Sequence, residues 1–321
     1  IDFNFPEPYV EFDAQKRISN ISARERTGAH RLIEECMLVA NVCAAKFLQK
    51  NLGNKAIYRN HEGPDQDGLA KVREFLSGLG LSLGGHEKPT ALDYRNLLVK
   101  IEERPEILSV VQTVLLRSLS QAVYSPEQLG HFALAFPVYT HFTSPIRRYS
   151  DLVVHRLIKS LIGLGSYGQP GPDGATPQEI GEQCSFTERR ADNAAYDVIG
   201  WLKAEFMSSK IGDSFSGTIS GVREFGVFVQ LQDIFVDGLV HVTRLGNDYY
   251  HFDPVYQKLQ GERSGQVFKL GDRVKVIVAG VDLEESKIDF ELWGNTASRD
   301  RKTPGRKNRK RNKSNSRKPK H

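Results

Sequence analysis

Residues 141–156 read HFTSPIRRYSDLVVHR. Ser144 is a good N-cap and Pro145 suits the first helical position, where a missing N–H costs nothing, so a helix is predicted to open here and run to about residue 164. Arg147 and Arg148 then fall in the first turn, where the helix dipole disfavours cations unless an anion sits at the helix end. Free backbone N–H groups, the dipole and two guanidinium groups together make a phosphate site, with Ser144 as part of it. The alternative is a surface helix with solvated arginines. Phe142, Tyr149 and His141 flank the arginines, and stacking surfaces beside phosphate ligands are what single-stranded nucleic acid needs. Arg147, Asp151 and His155 recur every four residues, which would let Asp151 hold Arg147.

Four more segments bear on the same chemistry: RERTGAHRLIEECMLVANVCAA (24–45), YRNHEGP (58–64), LLRSLSQAVYSPEQLGHFALAF (115–136) and ERRADNAA (188–195). Together with residues 141–156, they resemble the RNase II/RNase R (RNB) exoribonucleases, whose signature is HFTSPIRRYPDLxVHR. This chain has Ser150 where that family usually has proline. The resemblance covers nearly the whole chain and is strongest towards the RNase R branch. It implies hydrolysis of RNA from the 3′ end, processive release of nucleoside 5′-monophosphates, and Mg²⁺ held by a tight cluster of aspartates. It also implies Arg147 and Arg148 as catalytic phosphate ligands. The family's run D-x5-D-x-D-D has no counterpart here, Asp65 and Asp67 at a helix start being the nearest imitation, so no metal ligand is assigned. In the family that run, and cold-shock-type domains, precede the point where this chain begins. The expectation is therefore a C-terminal portion of such an enzyme, with the arginine half of the active site and without the metal half.

The net charge of +5 is unevenly placed. From Arg299 onward there are 12 Lys or Arg and one Asp, while the remaining 298 residues hold 32 basic and 38 acidic side chains. Attraction to polyanions would thus come mainly from the tail. Cys36, Cys43 and Cys184 show no metal-ligand spacing; Cys36 and Cys43 read as buried small apolar residues, and free thiols point to the cytoplasm. No apolar run reaches membrane-spanning length.

Upstream of the signature, residues 1–25 suggest a short hairpin turning near residues 14–16. A helix is predicted over 27–50, with Leu32, Ile33, Cys36, Met37, Ala40, Cys43, Ala44 and Phe47 as one apolar stripe and Asn41 beside it. Glu34 and Glu35 interrupt that helix; either they are solvated, or one lines a channel and orients a metal-bound water or a ribose hydroxyl. His61 and Glu62 could face a site or water. Two packing helices follow, the first from Asp65 to the glycines at 78 and 80, the second opened by Thr90 and Asp93 and closed before Pro105. A helix over 106–123, apolar on more than one face, is expected between layers. His131, Tyr139 and His141 lie on an extended stretch, either structural or stacking on a base or sugar. Residues 166–177 read as a loop, and Thr176, Pro177 and Glu179 start a helix to about residue 209. Its charges around Glu188 read as a solvated or packing face; the resemblance leaves Glu188 a channel-facing role.

After residue 211 the period changes from 3.6 to 2, giving five strands at 215–219, 227–231, 239–242, 273–281 and 287–292, the number and length of an OB barrel. GTISGVREFGVFVQL (217–231) and VDGLVHVTRL (236–245) resemble an S1 RNA-binding domain. On such a face Phe225, Phe228 and His241 would stack bases, with Arg244 and Lys287 on phosphates; Phe228 could equally be core. The expected fold is thus mixed α+β: a helix-rich, partial RNB catalytic domain at 1–210, a five-stranded OB-fold (S1) barrel at 211–294, and a disordered basic tail at 295–321 serving as an RNA tether. Three functions remain: a monomeric, cytoplasmic 3′–5′ exoribonuclease acting on single-stranded and structured RNA, a non-catalytic RNA-binding protein, or a phosphorolytic RNA-degrading enzyme. The last is disfavoured because no duplicated phosphate-binding core is visible in the first 200 residues.

Overall fold

A computed structural model of the chain describes residues 1, 3, 7–165 and 174–294, so the expected basic tail and most of the expected 166–177 loop lie outside the described residues. The chain opens with a hairpin of β1 (Pro8–Phe12) and β2 (Ile18–Ala23), then α1 (Gly28–Leu52) and β3 (Tyr58–Asn60). Next come α2 (Gln66–Gly78), α3 (Ala91–Lys100) and α4 (Pro105–Ser118); β4 (Val123–Ser125) pairs with β3, and α5 (Tyr149–Leu161) and α6 (Pro177–Ser208) follow. The helix starts fall where capping chemistry puts them. Asp65 accepts from Gly68 N–H, and Thr90 with Asp93 and Thr176 with Glu179 form reciprocal boxes that satisfy otherwise orphaned N–H groups.

The second half of the described chain holds β5 (Ser214–Arg223), β6 (Gly226–Leu231), β7 (Asp237–His241), β8 (Tyr250–Asp253), β9 (Lys258–Gly261), β10 (Val267–Lys269), β11 (Arg273–Asp282) and β12 (Lys287–Leu292). Five of these close a barrel in the order β11-β12-β7-β6-β5, with β7 and β12 parallel and the other neighbours antiparallel. That is the OB arrangement expected from the period-2 pattern. Val227, Val229, Val240, Val276 and Phe290 fill its interior. The last turns of α6 join that core through Ala204 and Met207, both fully buried. The first turns of α6 pack on β4 instead, where Tyr124 N–H donates to Ser185 Oγ at 2.9 Å. Between these anchors, residues 191–198 of the helix are exposed on every side.

Several expectations are corrected. Ser144 does not cap a helix: its carbonyl accepts from Arg147 N–H (3.3 Å) and Arg148 N–H (3.1 Å), closing a separate turn, and α5 begins only at Tyr149 with Arg148 as N-cap. α4 stops at Ser118, because Val123–Ser125 gains strand hydrogen bonds to β3 that outweigh local helix propensity. α4 also buries one face, not several: Val111 and Leu115 pack with α2 and α3 while Leu116 is exposed. Of the expected apolar stripe of α1 only Ala44 is buried; Met37 and Ala40 are half-buried, and Leu32, Ile33, Cys36, Cys43 and Phe47 are exposed, while the helix buries Asn41, Ala45 and Leu48 instead. The small sheet β10-β9-β8 was not expected, its strands of three or four residues being too short to show a period.

One glycine sets the edge of the barrel. Gly226 follows the β5–β6 turn with φ +153°, and a Cβ there would lie 2.3 Å from the Val240 carbonyl oxygen and 3.0 Å from His241 Cα. Backbone cannot yield as a flexible side chain can. Gly226→Ala should therefore cost about 1–3 kcal/mol from backbone strain alone, plus the clash. Urea unfolding followed by tryptophan fluorescence measures it; a loss under about half a kcal/mol would show that the strands part easily.

Candidate nucleic-acid interface

The loop 141–148 is clamped from three sides. Asn41 of α1, a buried polar residue, donates Nδ2–H to Tyr139 Oη (2.9 Å) and accepts from the N–H groups of Phe142 (2.9 Å) and Thr143 (3.2 Å). His155 of α5 donates Nε2–H to the Phe142 carbonyl (2.8 Å) and stacks on the Phe142 ring at 4.2 Å. Asp151, 0% exposed, accepts from Ser144 N–H (2.8 Å), Arg148 Nη2 (2.9 Å) and Ser150 Oγ (3.3 Å). The pairing of Asp151 with Arg147 expected from helical spacing is thus replaced by pairing with Arg148, because the residues before Tyr149 are not helical. Arg148 is fixed and largely covered, its side chain 18% exposed. Arg147 is exposed and makes no side-chain hydrogen bond or ion pair among the described residues.

A third arginine, missed in the sequence, converges on the same place. Arg59 of β3 binds Glu188 of α6 through Nη1 at 2.6 Å and lies over the Tyr124 ring at 4.5 Å. The strand pattern carried a signal for it: Tyr58 and Asn60 are buried on one side, which turns Arg59 to the other. Tyr124 Oη bonds His141 Nδ1 at 2.7 Å, and the rings of His61, His131, Tyr139 and His141 follow in a chain, tilted between the first two and edge to face in the rest, with centroids 4.8–5.7 Å apart. Burial, then the charge of Arg148 and the other arginines, pushes the His141 imidazole down to about 2; burial, then His61 and Arg59, pushes His131 down to about 3. His61 is lowered mainly by burial, with Nε2 on the Ser120 carbonyl at 2.8 Å, so it is structural rather than facing a ligand. These histidines are neutral at physiological pH, and the arginines carry the positive charge. Arg148 Nε, His131 Nδ1 and Thr143 Oγ1 are buried with no hydrogen-bond partner.

The acids divide. Glu188 belongs to this constellation through Arg59. Glu34 is ion-paired with Arg26, and Glu35 is exposed without an ion pair among the described residues. Tyr149, 40% exposed, opens α5 next to Arg148, and Ser144 is half-buried in the loop. Mg²⁺ finds no home here: among the described residues no group of three or more His, Cys, Asp or Glu could hold a metal ion. Asp151 and Glu188 are both committed to arginines. The described residues do not fit the ion.

On the barrel, Phe225 is 48% exposed and meets the half-buried Phe228 edge to face at 6.0 Å. Both are outside the core cluster, so the alternative that Phe228 is core does not hold. His241 stands opposite Gly226 and is exposed; Arg244 is close by, paired with Glu291 at 3.4 Å. Lys287 is not part of this group. It pairs with Glu285 at the hairpin end of β12, level with Asp237 rather than with His241.

Residues 1–163 match the family model described as the RNB domain, and residues 208–292 match that of the S1 RNA binding domain. Ribonuclease R of Escherichia coli (strain K12) is 47% identical over 304 residues, covering 91% of this chain and 37% of that protein. Among solved structures, Mycoplasma genitalium RNase R in complex with ribose-methylated single-stranded RNA has a TM-score of 0.83 and 28% identity, over 91% of this chain and 46% of that one. Yeast Ssd1, a pseudonuclease, has a TM-score of 0.58 and 25% identity, over 74% and 30%. The chain thus spans less than half the length of each of these relatives. No helix among the described residues is long and apolar enough to cross a membrane. The signature loop, its arginines and the barrel behind them are features of one lineage, and the chain belongs to the RNB family, with an S1 RNA-binding domain following its RNB domain.

Proposed function

We propose that this chain is the RNA-holding, arginine-bearing part of a 3′–5′ exoribonuclease that hydrolyses RNA to nucleoside 5′-monophosphates in the cytoplasm, acting as a monomer. The observation that carries the reading is Arg147: exposed and unpaired among the described residues, beside Arg148 held rigid by Asp151. A guanidinium grips two phosphate oxygens at once, and a fixed one needs no reorganisation as charge grows on the non-bridging oxygens. Asp151 and Asn41 position the loop, Arg59 is held against Tyr124 by Glu188, and the neutral His141 and Tyr124 offer surfaces for a base or sugar. The unpartnered Arg148 Nε and Thr143 Oγ1 are further donors for such a ligand. Phe225, Phe228 and His241 would hold the strand at the barrel by stacking, with Arg244 beside them. The structures of Mycoplasma genitalium RNase R with single-stranded and with double-stranded RNA support both forms as ligands.

A second reading is a non-catalytic RNA-binding protein. It is favoured by the lack of a carboxylate cluster among the described residues and by the shared fold of Ssd1. Binding of single-stranded RNA at two salt concentrations, with Mg²⁺-dependent release of mononucleotide from a 3′-end-labelled strand, separates the two. Release of monophosphates supports the exonuclease; salt-sensitive binding without release supports the binding protein; no binding removes both. In a preparation that releases mononucleotides, Arg147→Lys should lower turnover about 100-fold while RNA affinity changes little, because an ammonium cannot reproduce the bidentate grip. Equal losses in turnover and affinity would remove Arg147 from the transition state.

A further inference from the structure

The junction between the helical domain and the barrel holds a second arginine pair. Arg117, in the last turn of α4, and Arg223, at the end of β5, face a cleft of 510 Å³ that Lys71 and Gln257 also line. Arg117 makes no hydrogen bond or ion pair among the described residues, and Arg223 uses Nη1 on its neighbour's carbonyl, Val222 O, at 3.0 Å. Arg223 lies close enough to disfavour the charge of Arg117, whose affinity for its proton is lowered first by burial and then by Arg223. The repulsion is not relieved by separation, since the junction is packed tight elsewhere: a Cβ on Gly78 of α2 would fall 2.3 Å from the Tyr256 ring. Two carboxylates also line the cleft, at the start of α2. Asp65 is committed to Gly68 N–H at 2.6 Å, and Asp67 makes no ion pair among the described residues.

The Arg117–Arg223 end of the cleft adjoins the stacking surface. A Cβ at Gly221 would stand 3.4 Å from the Phe228 ring and 3.8 Å from Arg117 Nη2, so a guanidinium of the helical domain and an aromatic ring of the barrel share one point on β5. Arg223 is two residues from Phe225. Cations without carboxylate partners beside exposed rings are the pairing that a nucleic-acid strand requires, phosphate on one and base on the other.

We propose that Arg117 and Arg223 form a phosphate clamp across the junction, so that one RNA strand stacked on Phe225 and Phe228 is gripped by both domains at once. This rests on the reading of the barrel as an RNA-binding surface. A phosphodiester between the two guanidinium groups would neutralise their repulsion and tighten the junction.

The test uses the full chain and a short fluorescent oligoadenylate, titrated at low and high salt. Arg117→Gln should weaken binding about tenfold and reduce the slope of log affinity against log salt by about 0.7, the value for one phosphate contact on a single strand. Arg223→Gln should do the same, and Arg117→Lys, which keeps the charge, should retain the slope. Without RNA, neither Gln variant should lower the thermal midpoint, since each removes a repulsion; a merely structural arginine would lower it. Unchanged affinity and slope in both Gln variants, with Phe225→Ala still weakening binding, overturns the clamp and leaves the stacking surface standing. If Phe225→Ala is also without effect, the RNA reading of the barrel fails with it. Stabilisation of the wild type by inorganic phosphate, with oligoadenylate binding indifferent to Arg117→Gln, would assign the pair to a free anion and overturn the clamp as well.

Discussion

Replacing Asp151 with alanine should cost about 3–5 kcal/mol, a large fraction of the roughly 5–15 kcal/mol that holds a domain folded. The carboxylate is fully buried and accepts from three donors on and beside the signature loop. Alanine would leave the Arg148 cation covered without a counter-charge and the Ser144 N–H without an acceptor, and each uncompensated group carries its own desolvation penalty. Asp151→Asn should lose less, because an amide oxygen can still accept from Ser144 while only its NH₂ opposes Arg148. The ordering wild type, Asn, Ala in urea unfolding of the helical domain is the expected result. RNA affinity should fall in the same order, since Arg148 loses its anchor. An alanine variant within 1 kcal/mol of wild type would mean that water reaches the site and the carboxylate is not what positions the loop.

Acid should unfold the helical domain well before its carboxylates are protonated. His141 and His131 are held at about 2 and about 3 in the folded chain, and His61 is lowered too, all chiefly by burial. Unfolded, each returns to its ordinary 6.5. A depressed folded value means that stability is fully present above pH 6.5 and is lost as pH falls towards the folded values, because only the unfolded chain takes up the protons. His141 and His131 each contribute a slope approaching about 1.4 kcal/mol per pH unit once the pH is below their unfolded value, so the two together approach about 3 kcal/mol per unit, and His61 adds in the same direction. Thermal midpoints between pH 7 and pH 5 measure this. The helical domain, which holds the buried histidine cluster, should drop steeply. His131→Phe should flatten the slope by one histidine's share. A flat wild-type profile would mean that the cluster protonates without unfolding.

The sequence carried the architecture well where chemistry is local. Capping residues located the starts of α2, α3 and α6, and period-2 alternation found all five barrel strands, because a cap or an inward-facing row is decided by residues within one turn or one strand. It failed where a distant partner decides. Val123–Ser125 looks like the end of a helix until β3 claims it, and Ser144–Pro145 looks like a helix start until the buried Asp151 carboxylate takes the Ser144 N–H. The short strands β8 to β10 carry too few residues for any period. In the candidate site, the aromatic turn of the barrel and the two signature arginines were legible from their neighbours. Arg59, Arg117 and Arg223 were not, since each matters for what another element brings beside it.

The 32 residues of α6 are anchored at one end beside Tyr124 and at the other in the barrel, with a bare span at 191–198 between. Such a helix acts as a screw thread as well as a spacer. Each residue advances it about 1.5 Å and turns it about 100°. A single insertion in the bare span would therefore hardly change the separation of the two domains but would swing the barrel a quarter-turn or more, carrying Phe225 and Arg223 away from Arg117. Seven added residues would come back nearly into phase while displacing the barrel by about 10 Å. What this helix preserves for the pair of domains is an azimuth, and the length of the bare span is quantised by it even though every residue there is exposed.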